Sequence, residues 1–281
     1  MNVFCNKTKI ALAVAALAVS AGAQAAPVGM VVSSIAPLFT VYNADGTGMG
    51  VLTVGPSTVA NAQAALNDGN GDASKPGGNV ELGKFGSNPA TQMLGTVGGK
   101  QISLRGLTAS DWGTRLTPSE LTSQYLQGAA VAALGAPLNN VQLNSALDAF
   151  FTPIPSLGGL TPWQRLSDPN ISYVYIDGHT VNVGLEGFLD SKLILENAFG
   201  IMLPPKPPGE YYQASEVVEV CLGVAANCKY LYGFVATDSL VVGPDRVSFT
   251  GNFNTQIPEP ESLALLGIGL LGLYLGRRRR S

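Results

Sequence analysis

The stretch Ile171-Ser172-Tyr173-Val174-Tyr175-Ile176-Asp177-Gly178-His179-Thr180-Val181-Asn182-Val183-Gly184-Leu185 decides the fold. Two runs rich in β-branched and aromatic residues flank the dipeptide Asp177-Gly178. This dipeptide supplies the positive φ that a two-residue turn requires. The sequence therefore predicts a β-hairpin with strands at 171–176 and 179–185.

A helical pattern precedes this hairpin. Thr117-Pro118-Ser119-Glu120 has the composition of a capping box with Thr117 as the N-cap, and predicts a helix that runs to about residue 134 and stops at Gly135. A second helix is predicted over residues 141–151. Because the linker between them is only about five residues long, we expect the two helices to form an antiparallel pair.

Short β segments are predicted on both sides of the helix pair. They lie at residues 28–35, 38–42, 51–54, 80–85, 101–107, 217–222, 229–235, 239–242 and 246–253. Further helices are predicted at 57–66 and 189–199, and the proline-rich segment 204–209 is expected to be an extended connector. The predicted fold class is α+β, with a mainly antiparallel β-sheet and a central antiparallel helix pair.

The N-terminus has the features of a secretory signal peptide. Lys7 and Lys9 precede an apolar stretch at 10–20, and Ala23-Gln24-Ala25 supplies the small residues that signal peptidase accepts. We therefore expect a signal peptide at 1–25, handled by the Sec machinery and signal peptidase. An exported α+β ectodomain would then occupy residues 26–256.

The C-terminal tail, residues 257–281, has three parts in order: Pro258-Glu259-Pro260, an uncharged apolar run at 263–275, and Arg277-Arg278-Arg279-Arg280. The apolar run predicts a single transmembrane helix, although it reaches only about 20 Å against the ~30 Å of a bilayer core. The arginines favour the cytoplasmic side of the membrane. Because proline restricts its neighbours, residues 257–260 are expected to be extended and unpaired.

This tail resembles the PEP-CTERM sorting signal. The resemblance implies export across the inner membrane of a Gram-negative bacterium, and processing near Pro258 to Pro260 by an exosortase, an integral membrane cysteine transpeptidase. The precursor would be held briefly at the inner membrane, and the mature form would be at the cell surface or secreted. Segments 107–112 and 167–174 also resemble other PEP-CTERM proteins of unassigned function. An ordinary tail anchor and a stop-transfer helix that is never cut are the alternatives.

The composition argues against a nucleic-acid partner. The chain has 281 residues, with 16 basic and 19 acidic side chains and a formal net charge of -3. Ten of the basic and seventeen of the acidic residues fall between 26 and 256, so the ectodomain is more acidic than the whole chain. Nucleic-acid binding needs clustered cations, and the ectodomain sequence has no such cluster.

Cys221 and Cys228 lie on opposing strands of a second predicted hairpin, which favours a disulfide in an exported protein. Two free buried thiols are the alternative. A metal site needs more ligands than these two thiols, and we expect no metal and no cofactor.

The sequence gives no strong catalytic signal. It has no Walker loop, no GxSxG elbow and no HExxH motif. The only histidine, His179, is either an exposed turn residue or part of a triad with Asp177 or Asp190. A glycosidase would need two carboxylates in one cleft, and the spacing of the acids selects no pair. We therefore expect no enzyme activity.

Two stretches suggest binding. Asp68, Asn70 and Asp72 match the first ligands of a calcium loop, but Ala73 and Asn79 depart from the pattern, and a solvated turn is the alternative. Tyr230, Tyr232 and Phe234 alternate along a predicted strand. They would either stack on sugars of an extracellular polysaccharide or be buried in the core.

Three functions follow from these patterns. We expect a non-enzymatic structural protein of the cell surface or the extracellular matrix. A carbohydrate-binding or adhesive module is the alternative, and a secreted hydrolase is the third hypothesis.

Overall fold

The computed structural model describes residues 28–43, 50–68, 77–223, 228–239, 241–246 and 248–258. The strands in these ranges are β1 (Val28–Gly29), β2 (Val31–Ala36), β3 (Phe39–Asn43), β4 (Gly50–Val51), β5 (Thr53–Gly55), β6 (Asn79–Leu82), β7 (Gln92–Val97), β8 (Lys100–Arg105), β9 (Asn170–Asp177), β10 (Thr180–Gly187), β11 (Val218–Leu222), β12 (Cys228–Leu231), β13 (Thr237–Asp238), β14 (Val241–Val242) and β15 (Gly251–Pro258).

The described residues also form six α-helices and one 3-10 turn. They are α1 (Val59–Asp68), α2 (Ala109–Trp112), α3 (Glu120–Leu134), α4 (Asn140–Phe150), a 3-10 turn (Pro155–Leu157), α5 (Pro162–Arg165) and α6 (Lys192–Phe199).

The strands form two large antiparallel sheets. The eight-stranded sheet has the order β13-β15-β10-β9-β6-β3-β5, with β1 added against β9. The five-stranded sheet has the order β12-β11-β8-β7-β2. A parallel pair, β4 with β14, is the exception to the antiparallel pattern. The fold is therefore α+β with mostly antiparallel sheets.

The first core lies between the two sheets and under α1. Val80 and Val183 from the eight-stranded sheet share one buried cluster with Met93 and Leu104 from the five-stranded sheet. Strand β7 shows the cause, because its residues alternate strictly between exposed and buried, as expected for a strand with one face on the core.

The second core is made by the helices. Trp112, the last residue of α2, is fully buried, with its ring 5.9 Å from that of Tyr125 and 5.2 Å from that of Phe150. Its indole N–H donates to Ser167 Oγ at 2.8 Å, so the buried polar atom is satisfied. Helix α4 packs more closely on α6 than on α3, so the predicted helix pair is instead part of a larger cluster.

The hairpin predicted at residues 171–185 is confirmed as β9 and β10, but its turn is shifted by one residue. Asp177 pairs with Thr180, so the two turn residues are Gly178 and His179 and not Asp177 and Gly178. Gly178 has a φ of 58°, and glycine at the first central position is typical of a type II′ turn.

Helix α3 is also confirmed, with a different N-cap. Ser119, and not Thr117, caps the helix, because the Ser119 side chain accepts a hydrogen bond from the Thr122 N–H at 3.2 Å. The helix ends at Gly135, as predicted, and Gly135 adopts the left-handed conformation with a φ of 75°.

The chain remains paired up to the start of the sorting tail. Strand β15 pairs with β10 along its whole length, with Ile257 opposite Val181 and Pro258 opposite Thr180. Ile257 is buried in the first core. The prediction that residues 257–260 are unpaired is therefore wrong at Ile257 and Pro258, because the burial of Ile257 continues the strand.

The predicted fold class is wrong in including a C-terminal transmembrane helix. In the ranges given above, no helix combines the length and the apolar character needed to cross a membrane. The predicted segment, residues 263–275, lies outside the described residues, and as a helix it would be about 10 Å shorter than the bilayer core.

Candidate functional site: a carboxyl-lined cleft

A cleft of about 660 Å³ opens where the end of the eight-stranded sheet meets the helices. The sheet contributes Tyr42 from β3 and Glu81 from β6, and the helices contribute Arg165 from α5 and Ile194 from α6. Its volume lies within the ~300–1,000 Å³ that is usual for small-molecule sites.

The segment between α5 and β9 forms one wall and is fixed by backbone hydrogen bonds. The Val217 N–H donates to the Leu166 carbonyl at 2.9 Å, and the Leu107 N–H donates to the Ser167 carbonyl at 2.9 Å. Because this backbone is held by two other segments, Asp168 is placed in the cleft wall with little freedom to move.

Three carboxyl groups from separate segments meet in this wall. Lys84 forms an ion pair with Glu81, and its Nζ lies 4.0 Å from Asp168 Oδ2. Glu216 Oε2 accepts hydrogen bonds from the backbone N–H of Asn170 at 3.0 Å and from its side-chain amide at 3.1 Å. Lys84 therefore lies close to two of the three carboxyl groups, those of Glu81 and Asp168.

The surroundings favour the protonated forms of two of these groups. Burial raises the pKa of Asp168, and the charge of Glu81 raises it further, whereas Lys84 opposes the shift. Burial also raises the pKa of Glu216, with the charge of Asp168 as the next cause. Residue Glu216 as a whole is partly exposed, but its carboxyl group is the buried part. These two groups therefore hold protons at a higher pH than exposed carboxyl groups do.

Three polar atoms in the cleft wall are buried and, among the described residues, have no hydrogen-bond partner. They are Arg165 Nε, Asp168 Oδ1 and Asn170 Oδ1. Leaving such an atom unsatisfied costs about 1–3 kcal/mol, so native proteins seldom keep one without a reason. The wall thus offers a donor at Arg165, an acceptor at Asn170, and at Asp168 a carboxyl group that accepts and, when protonated, donates.

Aromatic rings form the apolar part of the lining. Phe85 packs with the Arg165 guanidinium 5.0 Å from its ring centroid. Phe249 stands edge-on to Tyr42 with 4.9 Å between the ring centroids. Phe188, the residue after β10, lines the same space and is half-exposed.

The sequence did not point to this cleft. Glu81, Asp168 and Glu216 are far apart in the chain and sit in three different segments, so no spacing rule brings them together. The single local signal was the 167–174 segment, which was singled out only for its resemblance.

The predicted calcium loop finds no support in the residues that can be described. Asp68 is the last residue of α1, while Asn70 and Asp72 lie outside the described residues. Where the chain is described, no group of three His, Cys, Asp or Glu residues is arranged to hold a metal ion.

The three aromatics proposed for sugar stacking do not share one strand. Strand β12 ends at Leu231, before Tyr232 and Phe234. These two half-buried rings pack on Tyr125 of α3, at centroid distances of 5.1 and 5.5 Å. Tyr230 donates its hydroxyl proton to Asp111 Oδ1 at 3.2 Å. The prediction that the three aromatic residues alternate along one strand is therefore wrong. A sugar-stacking role for these residues stays a prediction.

The predicted disulfide is confirmed. Cys221 and Cys228 are bonded across the β11–β12 pair, where they lie directly opposite each other. His179 is exposed in the β9–β10 turn and is not among the residues that line the cleft.

Of the predicted sorting motif, only Pro258 can be placed. It is the last residue of β15. Glu259, Pro260 and the cluster Arg277 to Arg280 lie outside the described residues, as does the predicted signal peptide at 1–25.

Comparison with known proteins identifies the tail. The family model of the PEP-CTERM protein-sorting motif matches residues 256–280. No curated protein and no solved structure matches the chain. The motif implies export to the cell envelope of a Gram-negative bacterium and an exosortase as the processing partner.

Proposed function

We propose that the mature chain is a non-enzymatic structural protein of the cell surface or the extracellular matrix, to which it is delivered after exosortase processing. The observation that carries this proposal is the sorting motif at 256–280, whose first three residues are also the last three of β15, the final described strand of the folded body. A cut after Pro258 therefore leaves every described strand and helix in the body.

The positions of the two chain ends support this delivery route. At the N-terminal side, Val28 of β1 pairs with Ile176 near the end of β9. At the C-terminal side, Pro258 pairs with Thr180 at the start of β10. Both ends therefore leave the body beside the β9–β10 turn, so one edge of the body faces the inner membrane while the precursor is held there.

The remaining steps of the proposal follow the usual export chemistry. The Sec machinery carries the chain out, signal peptidase removes residues 1–25, and the precursor stays at the inner membrane until the exosortase acts near Pro258 to Pro260. The Cys221–Cys228 disulfide fits this route, because disulfides persist in oxidising compartments outside the cytoplasm.

A carbohydrate-binding or adhesive role is the second candidate function. The observation that favours it is the cleft with its unsatisfied polar atoms and aromatic walls. Sites of this kind bind small polar molecules with an apolar face.

Surface delivery is tested by protease treatment of intact cells with and without a functional exosortase. We expect the body to become accessible to protease only in cells that have the enzyme. Replacing both Pro258 and Pro260 by Ala is expected to abolish this accessibility, because the Pro-Glu-Pro part of the sorting motif is lost.

The chain offers a matched control in Pro205-Lys206-Pro207, which repeats the Pro-x-Pro spacing inside the body. Replacing Pro205 and Pro207 by Ala is expected to leave accessibility unchanged. Equal accessibility in the two strains would contradict the proposed delivery.

A further inference from the structure

We propose that the cleft binds a short neutral oligosaccharide, with Arg165, Asp168 and Asn170 as its hydrogen-bonding residues. This inference deepens the carbohydrate-binding function proposed above and does not depend on exosortase processing.

The unsatisfied atoms indicate what the ligand must carry. Asn170 Oδ1 is an acceptor that needs a donor, and Arg165 Nε is a donor that needs an acceptor. Asp168 Oδ1 belongs to a carboxyl group that favours its protonated form, so this carboxyl group can either accept or donate. A hydroxyl group is both a donor and an acceptor. Neighbouring hydroxyl groups on one molecule can therefore satisfy all three atoms at once.

The side chains that carry these atoms are held in place before any ligand arrives. Asp168 and Asn170 are each only 3% exposed, and the amide of Asn170 is committed to Glu216. Arg165 donates through Nη2 to the Leu157 carbonyl at 3.3 Å and packs on Phe85. Little conformational entropy is lost on binding when the binding groups are fixed in this way.

The apolar walls of the cleft match the apolar faces of a sugar ring. Phe85, Phe188 and Phe249 line the cleft together with Leu157 and Ile194. The C–H faces of a pyranose are apolar and pack on such surfaces, while its hydroxyl groups reach the polar wall. The cleft volume of about 660 Å³ accommodates more than one sugar unit.

The charges of the cleft favour a neutral ligand over a charged one. Glu81 already has Lys84 as its partner, and the buried carboxyl groups of Asp168 and Glu216 favour their protonated, uncharged forms. An ammonium group has only donors and leaves Arg165 Nε unsatisfied, whereas a phosphate has mainly acceptors and leaves Asn170 Oδ1 unsatisfied.

The test uses the exported protein purified from cells, first on an array of neutral oligosaccharides from disaccharides to hexasaccharides. The glycan that binds most tightly is then titrated calorimetrically against variants. Arg165→Lys keeps the positive charge but removes the Nε donor, and is expected to weaken binding about ten-fold. Phe188→Ala removes an aromatic wall that is half-exposed, so it gives a second readout if Arg165→Lys does not fold.

Arg115→Lys is the matched control, because Arg115 is exposed and pairs with Asp148 away from the cleft. It is expected to bind as the unmodified protein does. Spermidine and inorganic phosphate serve as charged probes, and neither is expected to compete.

Three results would overturn the inference. They are failure to bind any neutral glycan on the array, unchanged affinity in both cleft variants, and tighter binding of either charged probe. Glycan binding by a protein that never reaches the surface would leave the inference standing and contradict only the proposed delivery. Cleavage of the bound glycan would support this site and contradict the non-enzymatic role.

Discussion

Glu186 is the residue whose surroundings most clearly demand an uncharged side chain. It is 1% exposed and accepts hydrogen bonds from the amides of Asn79 at 3.3 Å and Asn252 at 3.4 Å, and from Ser239 Oγ at 3.3 Å. Burial raises its pKa to about 8. The carbonyl oxygens of both asparagines have no partner among the described residues, and a protonated Glu186 has the proton to donate.

This arrangement predicts that stability decreases as pH rises. The folded state binds the Glu186 proton up to about pH 8, whereas the unfolded chain releases it near pH 4.5. Between these values the folded state holds more protons, so the free energy of unfolding falls by at most about 1.4 kcal/mol per pH unit from this group. Glu186→Gln is expected to reduce the slope, because an amide stays neutral and can still donate.

Urea unfolding at a series of pH values from 4.5 to 8 measures this slope. Glu210→Gln, at an exposed position, is the control and should reproduce the unmodified slope. A Glu186→Gln variant with the same pH dependence as the unmodified protein would show that Glu186 ionises normally. Asp168 and Glu216 also have raised pKa values, so some slope remains in the variant.

At the scale of single residues, the sequence shows which acidic residues are present but not which of them are buried. Seventeen acids lie between 26 and 256, and nothing local separates Glu186 or Asp168 from the exposed ones. Their shifted pKa values arise from burial, and burial depends on which distant strands come together. The disulfide was predictable because both cysteines belong to one local hairpin.

At the scale of helices and strands, patterns that span only a few residues predicted several elements correctly. The β9–β10 hairpin, the β11–β12 hairpin and helices α3 and α4 all occur close to their predicted positions. The β9–β10 turn and the α3 N-cap are displaced by one and two residues from the predicted ones. Strand β7 was missed because Gly95 and the polar residues around it weaken the β-strand pattern. The short helices α2 and α5 were missed because a single turn has no period to detect.

The position of the α3 cap gives a direct test at this scale. Ser119→Ala removes the side chain that accepts from the Thr122 N–H, and is expected to lower the free energy of unfolding by about 0.5–2 kcal/mol. Thr117→Ala, the substitution that the sequence pattern alone would choose, removes only an exposed contact with Thr114. It is expected to cost less than about 0.5 kcal/mol.

Chemical denaturation of the two variants side by side measures the difference. They are two residues apart in the same loop, so each serves as the control for the other. A larger loss from Thr117→Ala than from Ser119→Ala would place the N-cap at Thr117.

At the scale of the whole molecule, the fold depends on pairings between distant segments. Strand β15 pairs with β10, and β6 pairs with β9, although many residues separate the partners in each case. Such pairings are not specified by local pattern, so the sheet order and the cleft that it creates could not be predicted. The α+β composition could be, because it needs only the types of the elements.

Pairing between distant segments also explains why residues 257 and 258 are paired, contrary to the prediction. The prolines alone predict an extended and unpaired segment at 257–260. Pairing with β10 and burial of Ile257 instead extend the sheet up to Pro258. The sorting motif therefore begins within the last paired strand of the folded body, and both chain ends leave that body at one edge.

We propose that the exosortase cuts the chain beside this edge. Mass analysis of the C-terminal peptide of the mature protein, isolated from cells with a working exosortase, tests it most directly. The account predicts a C-terminus near Pro258 to Pro260, with the body still folded. A mature protein that retains Ser281 in the same cells would contradict it.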